Sequence, residues 1–495
     1  MALINISSLT FCYDGSYDNI FEDVSFQIDT DWKLGFIGRN GRGKTTFLKL
    51  LMGQYEYKGT ISAPVSFEYF PYEVRDASKN SIDVIEEVCP DLEYWKLQRE
   101  MAKLEVGEDT LYRPFSTLSN GERTKLLLAA MFLRENSFLL IDEPTNHLDM
   151  RGRALVSDYL ASKKGFIIVS HDRAFLDGAI DHVLSINRAN IEVQRGNYSS
   201  WSENKRRQDS FELAENEKLK GEIKRLKETA REKADWSDTA ERRKTGVDSY
   251  KVDNIKGWRP LQGAKSKKQM SRAKAIEGRQ QRAIEEKEKL LKNIEKSEEL
   301  KISQAEYHSK RLILMRDAAI SYGEKTVCEG ITFTVEQGDR LAITGRNGSG
   351  KSSLLKLICG EDMAYTGTVQ IGSGLIISYV PQDTSELTGN LTDYAREYGI
   401  DESVFKAILR KLDFERVQFE KDMRDFSAGQ KKKVLIARSL CEKAHLHVWD
   451  EPMNYIDVIS RTQLEELILS FKPTLVFVEH DRVFCDKIAT KTLEM

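Results

Sequence analysis

A chain of 495 residues with 40% hydrophobic side chains can build two to four domain-sized cores, which excludes a wholly disordered polypeptide. No apolar run approaches the ~18 residues that cross a bilayer, and the opening MALINISSLTFCYDG lacks a basic stretch followed by an apolar core, so a soluble cytoplasmic protein is expected. Six scattered cysteines argue against a zinc site or disulfide framework, and the formal net charge of -3 hides polarity: residues 201–300 hold 27 Lys and Arg against 20 Asp and Glu, the remainder 48 against 58.

The first strongly patterned run, WKLGFIGRNGRGKTTFLKLL, predicts an apolar strand over Leu34–Ile37, a glycine-rich turn, and a helix beginning near Lys44. Gly38, Gly41 and Gly43 let the backbone wrap so that its amides face phosphate oxygens, and the helix N-terminus adds its positive dipole end. Lys44 is placed to reach β- and γ-phosphates and Thr45 to offer a hydroxyl to Mg²⁺. Asn40 and Thr46 complete this candidate nucleotide-binding stretch.

Next comes TLSNGERTKLLLAAMFL, where Ser119 and Gly121 form a turn that opens a helix and offers amides and a hydroxyl to an anion. Alone, such a turn is more often a plain cap. The run SFLLIDEPTNHLD then predicts a buried strand ending in two carboxylates. Asp142 can orient Mg²⁺ while Glu143, facing the other way, polarises the water that attacks the γ-phosphate. A bland alternative is that the pair caps the following helix. His171, in IIVSHD, follows another predicted strand.

All of these features recur. Lys44 and Lys351 lie 307 apart, Ser119 and Ser427 308 apart, Asp142 and Asp450 308 apart, and His171 and His480 309 apart. The second phosphate loop, GRNGSGKSS, supplies Gly345, Asn347, Gly348, Gly350, Lys351, Ser352 and Ser353; FSAGQ supplies Ser427 and Gly429; VWDEP supplies Asp450 and Glu451. One ATPase domain has been duplicated, over residues 1–200 and 307–495. Ser352 and Asp450 are the second candidate Mg²⁺ ligands, joined by Gln382 of VPQ, and Glu451 and His480 repeat the candidate catalytic pair.

Residues 201–306 between the copies carry charge throughout, with Leu219, Ile223 and Leu226, and later Ile276, Ile284, Leu291 and Ile294, at helical spacing. Narrow apolar stripes on two charged helices predict an antiparallel hairpin, and about 35 residues per arm reach roughly 50 Å. Its turn, about 236–269, interleaves Tyr250 and Trp258 with Arg242, Arg243, Lys244, Arg259, Lys265, Lys267 and Lys268. Residues 241–280 hold 12 basic and 4 acidic side chains. Cations for phosphates and flat rings for unstacked bases favour RNA over a merely solvated spacer.

Phosphate loop, LSGGQ-like turn, apolar strand ending in Asp-Glu and downstream His together resemble the nucleotide-binding domain of the ABC ATPase superfamily. The resemblance implies an α/β fold of two tandem ABC-type P-loop domains, with Tyr13 and Tyr322 stacking on adenine and His171 and His480 contacting the γ-phosphate of ATP. It also implies head-to-tail closure within one monomer. Lys44, Asp142 and Glu143 then pair with Ser427 and Gly429, while Lys351, Asp450 and Glu451 pair with Ser119 and Gly121.

Two such domains around a long charged linker, without a membrane domain, are similar to the ABC-F proteins. The absence of a long insertion in the first domain and of a basic C-terminal coiled coil, together with NYID after the second carboxylates, resembles the antibiotic-resistance members, most closely the Lsa-type. That implies a ribosomal partner, through large-subunit rRNA and exit-site tRNA, and no membrane partner. Three departures stand out: Tyr72 replaces the Gln of the first copy, Glu122 replaces the Gln of LSGGQ, and MNYID replaces TNHLD. Both sites keep a glutamate, so both are expected to hydrolyse ATP, at unequal rates.

Overall fold

The computed structural model describes residues 2–13, 19–146, 148–187, 190–208, individual positions between 210 and 228, 305–323, 325–414 and 416–495. The chain divides into two compact units, Met1–Trp201 with Glu299–Met495, and Ser202–Glu298. In the latter, the described positions between 203 and 228 are helical. The apolar stripe positions and the basic, aromatic turn, from Arg242 to Lys268, lie outside the described residues.

The predicted apolar strand of the first copy is Lys33–Ile37, in the interior of a six-stranded sheet. Its neighbours in order are Ser66–Phe70, Ser137–Asp142 and Phe166–Val169 on one side, and His182–Asn187 and Asn190–Arg195 on the other. The first five strands pair in parallel, and the last turns back antiparallel. Period-2 alternation distributes their side chains between two cores: Phe36, Leu140 and Ile167 point to one, Ile37, Ile141 and Ile168 to the other. Burial on both faces explains why these strands read as continuous apolar runs.

The second copy repeats the plan with Ile377–Val380, Leu446–Asp450, Leu475–Val478, Arg340–Thr344 and Lys491–Glu494, parallel throughout. Each copy also carries a three-stranded antiparallel sheet, ordered Phe21–Asp29, Leu3–Phe11, Lys58–Ser62 in the first. The parallel order places the phosphate loop, the Asp-Glu pair and the histidine together at the carboxyl ends of adjacent strands, where open α/β sheets bind ligands. The copies meet directly: Val458, opening the second-copy helix Val458–Phe471, joins the apolar core of the first.

Candidate active sites

Each phosphate-loop helix, Lys44–Leu51 and Lys351–Ile358, starts from a left-handed glycine, Gly43 at φ 89° and Gly350 at φ 93°. A Cβ there would lie 2.5 Å from Ile20 Cγ2 or 2.9 Å from Val327 Cγ1, so space and backbone both demand glycine. Lys44 Nζ donates to the carbonyls of Gly38 (2.6 Å) and Arg39 (3.2 Å), and Lys351 Nζ to those of Gly345 (3.0 Å) and Arg346 (2.8 Å). Burial pushes both ammonium groups below the usual lysine range. Tyr13 OH shares a 2.8 Å hydrogen bond with Thr46 Oγ1, and Tyr322 OH donates to Ser353 Oγ at 3.3 Å, leaving an exposed ring beside each loop.

Asp142 and Asp450 end their strands as the sequence predicts. Glu143 (φ 50°) and Glu451 (φ 46°) follow in the left-handed region, a strained conformation that costs about 1–3 kcal/mol and recurs at functional sites. His171 Nε2 stands 3.1 Å from Glu143 Oε1; His480 Nε2 stands 3.7 Å from Glu451 Oε1. Beyond this the sites differ. Gln382 Nε2 donates to Glu451 Oε2 at 2.8 Å, and Asn454 donates to the same oxygen. Tyr72, at the place of Gln382 in the first copy, packs against an apolar core.

The electrostatics follow. Burial, then the neighbouring Asp142 charge, pushes Glu143 up to about 8. Burial also acts to raise Glu451, but the hydrogen bond and charge of His480, with help from Asn454, outweigh it and hold this carboxyl below its ordinary value. His171 is driven well down by burial and by the Lys44 and Arg461 charges.

The signature turns cap helices as well as face the opposite domain. Ser119 and Ser427 each form a capping box, with Glu122 and Gln430 as reciprocal partners. Gly348, Lys351, Ser352, Gln382, Glu451 and His480 of the second domain share one cleft of about 860 Å³ with Ser119, Gly121, Asp149 and Arg153 of the first. At the first site the two surfaces touch. Asn40 Nδ2 donates to Tyr455 O at 2.8 Å, Arg39 pairs with Asp413 at 2.9 Å, and a Cβ on Gly429 would lie 3.3 Å from Asn40 Nδ2.

Mg²⁺ suits the residues at both sites. Thr45 Oγ1 donates to Asp142 Oδ2 at 2.8 Å, Ser352 hydrogen-bonds Asp450, and Asp450 Oδ1 is buried without a partner among the described residues. A hydroxyl and one carboxylate, all oxygen, fit a hard cation that takes its remaining ligands from water and phosphates.

Several neighbours of these groups escape motif reading. Tyr69 OH donates to Asp142 Oδ2 at 2.9 Å, and Lys432 Nζ ties the carbonyls of Pro381 and Asp450 together at 2.7 and 2.8 Å. Asn454 had a signal, since Asn recurs in TNHLD and MNYID. Tyr69 and Lys432 had none, because an aromatic in a strand and a lysine in KKK read as ordinary core and surface.

Comparison with known proteins decides the family. The sequence model of the family described as "ABC transporter" matches residues 21–146 and 328–454. The chain belongs to this family. It is an ABC-type ATPase with two nucleotide-binding domains, and its tandem form is that of the ABC-F group. It is 27% identical to the ribosome protection protein VmlR of Bacillus subtilis, over 100% of this chain and 86% of that protein. It is also 27% identical to the energy-dependent translational throttle protein EttA of Haemophilus influenzae, over 96% and 89%. Among solved structures, the archaeal ribosome recycling factor aABCE1, in complex with ribosomal stalk protein aP1, superposes with a TM-score of 0.63 at 19% identity, covering 98% of this chain and 87% of that one. That likeness speaks to fold. Among the described residues no helix is long and apolar enough to cross a membrane.

Proposed function

We propose that this ABC ATPase is a cytoplasmic ribosome protection factor. ATP closes the two domains head to tail, and the closed form binds the ribosome with residues 201–306 directed toward the peptidyl-transferase centre. Hydrolysis then releases it. The proposed range is that of large-subunit drugs of the lincosamide, pleuromutilin and streptogramin A type. The observation that carries the reading is the shared cleft, in which Ser119 and Gly121 of one domain face Lys351 and Glu451 of the other. That arrangement supports a closure that depends on nucleotide, and the 12 basic and 4 acidic side chains over residues 241–280 of the sequence suit a polyanionic partner.

At each site the chain's own groups have defined tasks. The loop amides and Lys44 or Lys351 bind the phosphates of ATP, Tyr13 or Tyr322 lies against the base, and Glu143 or Glu451 takes a proton from the attacking water. When bound, Mg²⁺ neutralises phosphate charge, with Thr45 and Asp142, or Ser352, Asp450 and Gln382, holding it. Arg242, Arg243, Lys244, Tyr250, Trp258, Arg259, Lys265, Lys267 and Lys268 contact rRNA or exit-site tRNA.

The likeness to EttA, at the same identity as VmlR, favours a second reading as a general translation factor. Minimum inhibitory concentrations of these drugs, in a sensitive host with and without the chain, separate the two. Protection predicts a rise for large-subunit drugs alone that disappears in Glu143→Gln/Glu451→Gln; no rise for any of them removes the protection reading.

A further inference from the structure

The residues following each candidate sensor histidine repeat as His-Asp-Arg, at 171–173 and 480–482, yet the two arginines have opposite surroundings. Arg173 is buried. Its guanidinium donates to Glu465 and stands 3.6 Å from Asp481, both fully buried and both in the second domain. Asp481 accepts from Arg461 at 2.9 Å, and Arg461 holds the carbonyls of Met453 (2.8 Å) and Ile456 (2.9 Å), on either side of Tyr455. Tyr455 O is the acceptor for Asn40 of the first phosphate loop. One ionic chain therefore runs from behind His171, through the residue behind His480, to the loop that covers the first site.

Among the described residues there is no mirror-image chain. Arg482, the twin of Arg173, is exposed and lies 3.7 Å from Asp486 in its own helix. Ser157 occupies the place of Glu465, and Gly178 that of Lys487, which donates to Glu465 at 2.9 Å. A Cβ on Gly178 would come within 2.4 Å of Ser157 Oγ, so these first-domain helices pack too closely for a charged pair. Arg153 does repeat the local role of Arg461, holding Leu148 O at 3.0 Å and Asp172 at 2.9 Å. Each domain thus ties its histidine segment to its own loop, but among the described residues only the first continues that tie across the interface, through Arg173. Burying two carboxylates and two guanidiniums is costly unless all are paired, so the arrangement is rigid and transmits displacement.

We propose that Arg173, with Glu465 and Asp481, is a positioning residue that couples the two ATP sites, so that closure of the first site depends on the nucleotide state sensed at His480. This rests on the assignment of His171 and His480 to the two sites. The test uses the full chain and compares wild-type ATP turnover with the summed turnover of Glu143→Gln and Glu451→Gln. Independent sites give equality; coupled sites depart from it, by about fivefold or more at typical coupling strengths. In an Arg173→Met/Glu465→Leu background, where neither partner strands a buried charge, the departure should shrink below about 1.5-fold. Thermal melting verifies folding, and Arg482→Ala should keep the wild-type departure. Undiminished coupling in the folded Arg173→Met/Glu465→Leu protein, or wild-type turnover equal to the sum, overturns the proposal. Full hydrolysis by Glu143→Gln/Glu451→Gln would instead overturn the site assignment beneath it.

Discussion

The two ATP sites of this chain descend from one design and differ in state. At the first, the facing domain touches the phosphate loop through Asn40 and Arg39, and desolvation with the Asp142 charge raises the half-buried Glu143, while Tyr72 packs against an apolar core. At the second, loop and signature turn line one open cleft, and Glu451, which also accepts from Gln382, is held below its ordinary value by His480 and Asn454 against the effect of burial. The same Asp-Glu pair therefore has two chemistries, set by what surrounds it and by one Gln-to-Tyr difference.

Breaking both sites should have the largest effect. Glu143→Gln/Glu451→Gln is expected to lower ATP turnover by about 10²–10⁴-fold while leaving ATP binding intact, as steady-state hydrolysis and equilibrium binding would report. Leaving one site at a time sharpens the contrast through pH. With Glu143 pushed up to about 8, the carboxylate base of the first site forms only as pH rises through that value, so Glu451→Gln turnover should climb about fivefold between pH 7 and 8. The lowered Glu451 is already ionised, and Glu143→Gln turnover should be flat over that interval. The sign for stability is opposite. A raised carboxyl favours the fold while protonated, so its contribution is full at low pH and is lost as pH rises from the ordinary glutamate range through 8.

Smaller effects test the surroundings. Gln382→Ala removes one donor from Glu451, and should lower second-site turnover by about tenfold if that hydrogen bond is worth ~1.4 kcal/mol in the transition state, measured in the Glu143→Gln background. Glu122→Gln probes the signature turn. The Glu122 carboxylate accepts from Ser119 Oγ at 2.7 Å and faces the cleft that would hold phosphate, so its removal should tighten ATP at the second site by about two- to fivefold in a binding titration.

Much of this was legible in the residues. The order of glycine loop, Ser-Gly turn, Asp-Glu and His fixes where each lies on a parallel sheet, because strands this apolar must be buried on both faces and present their carboxyl ends together. The head-to-tail pairing of Lys351 with Ser119 came from likeness rather than from periodicity, since no local pattern encodes which domain faces which. The inequality of the sites was half visible: Tyr72 for Gln could be read, but the pairing of Arg173 with Glu465, 292 residues away, could not. An arginine after a histidine looks the same whether its partner is Glu465 or water. Lys432 and Tyr69 were hidden for the same reason, because their partners are backbone carbonyls and a carboxylate brought close only by the sheet.

If ATP-driven closure of these paired domains creates the ribosome-binding form, blocking hydrolysis should trap that form. Sedimentation of Glu143→Gln/Glu451→Gln through a sucrose cushion with 70S ribosomes, with ATP and without nucleotide, tests it most directly. Co-pelleting that requires ATP is the predicted result; a protein that binds ATP yet stays in the supernatant would contradict the account.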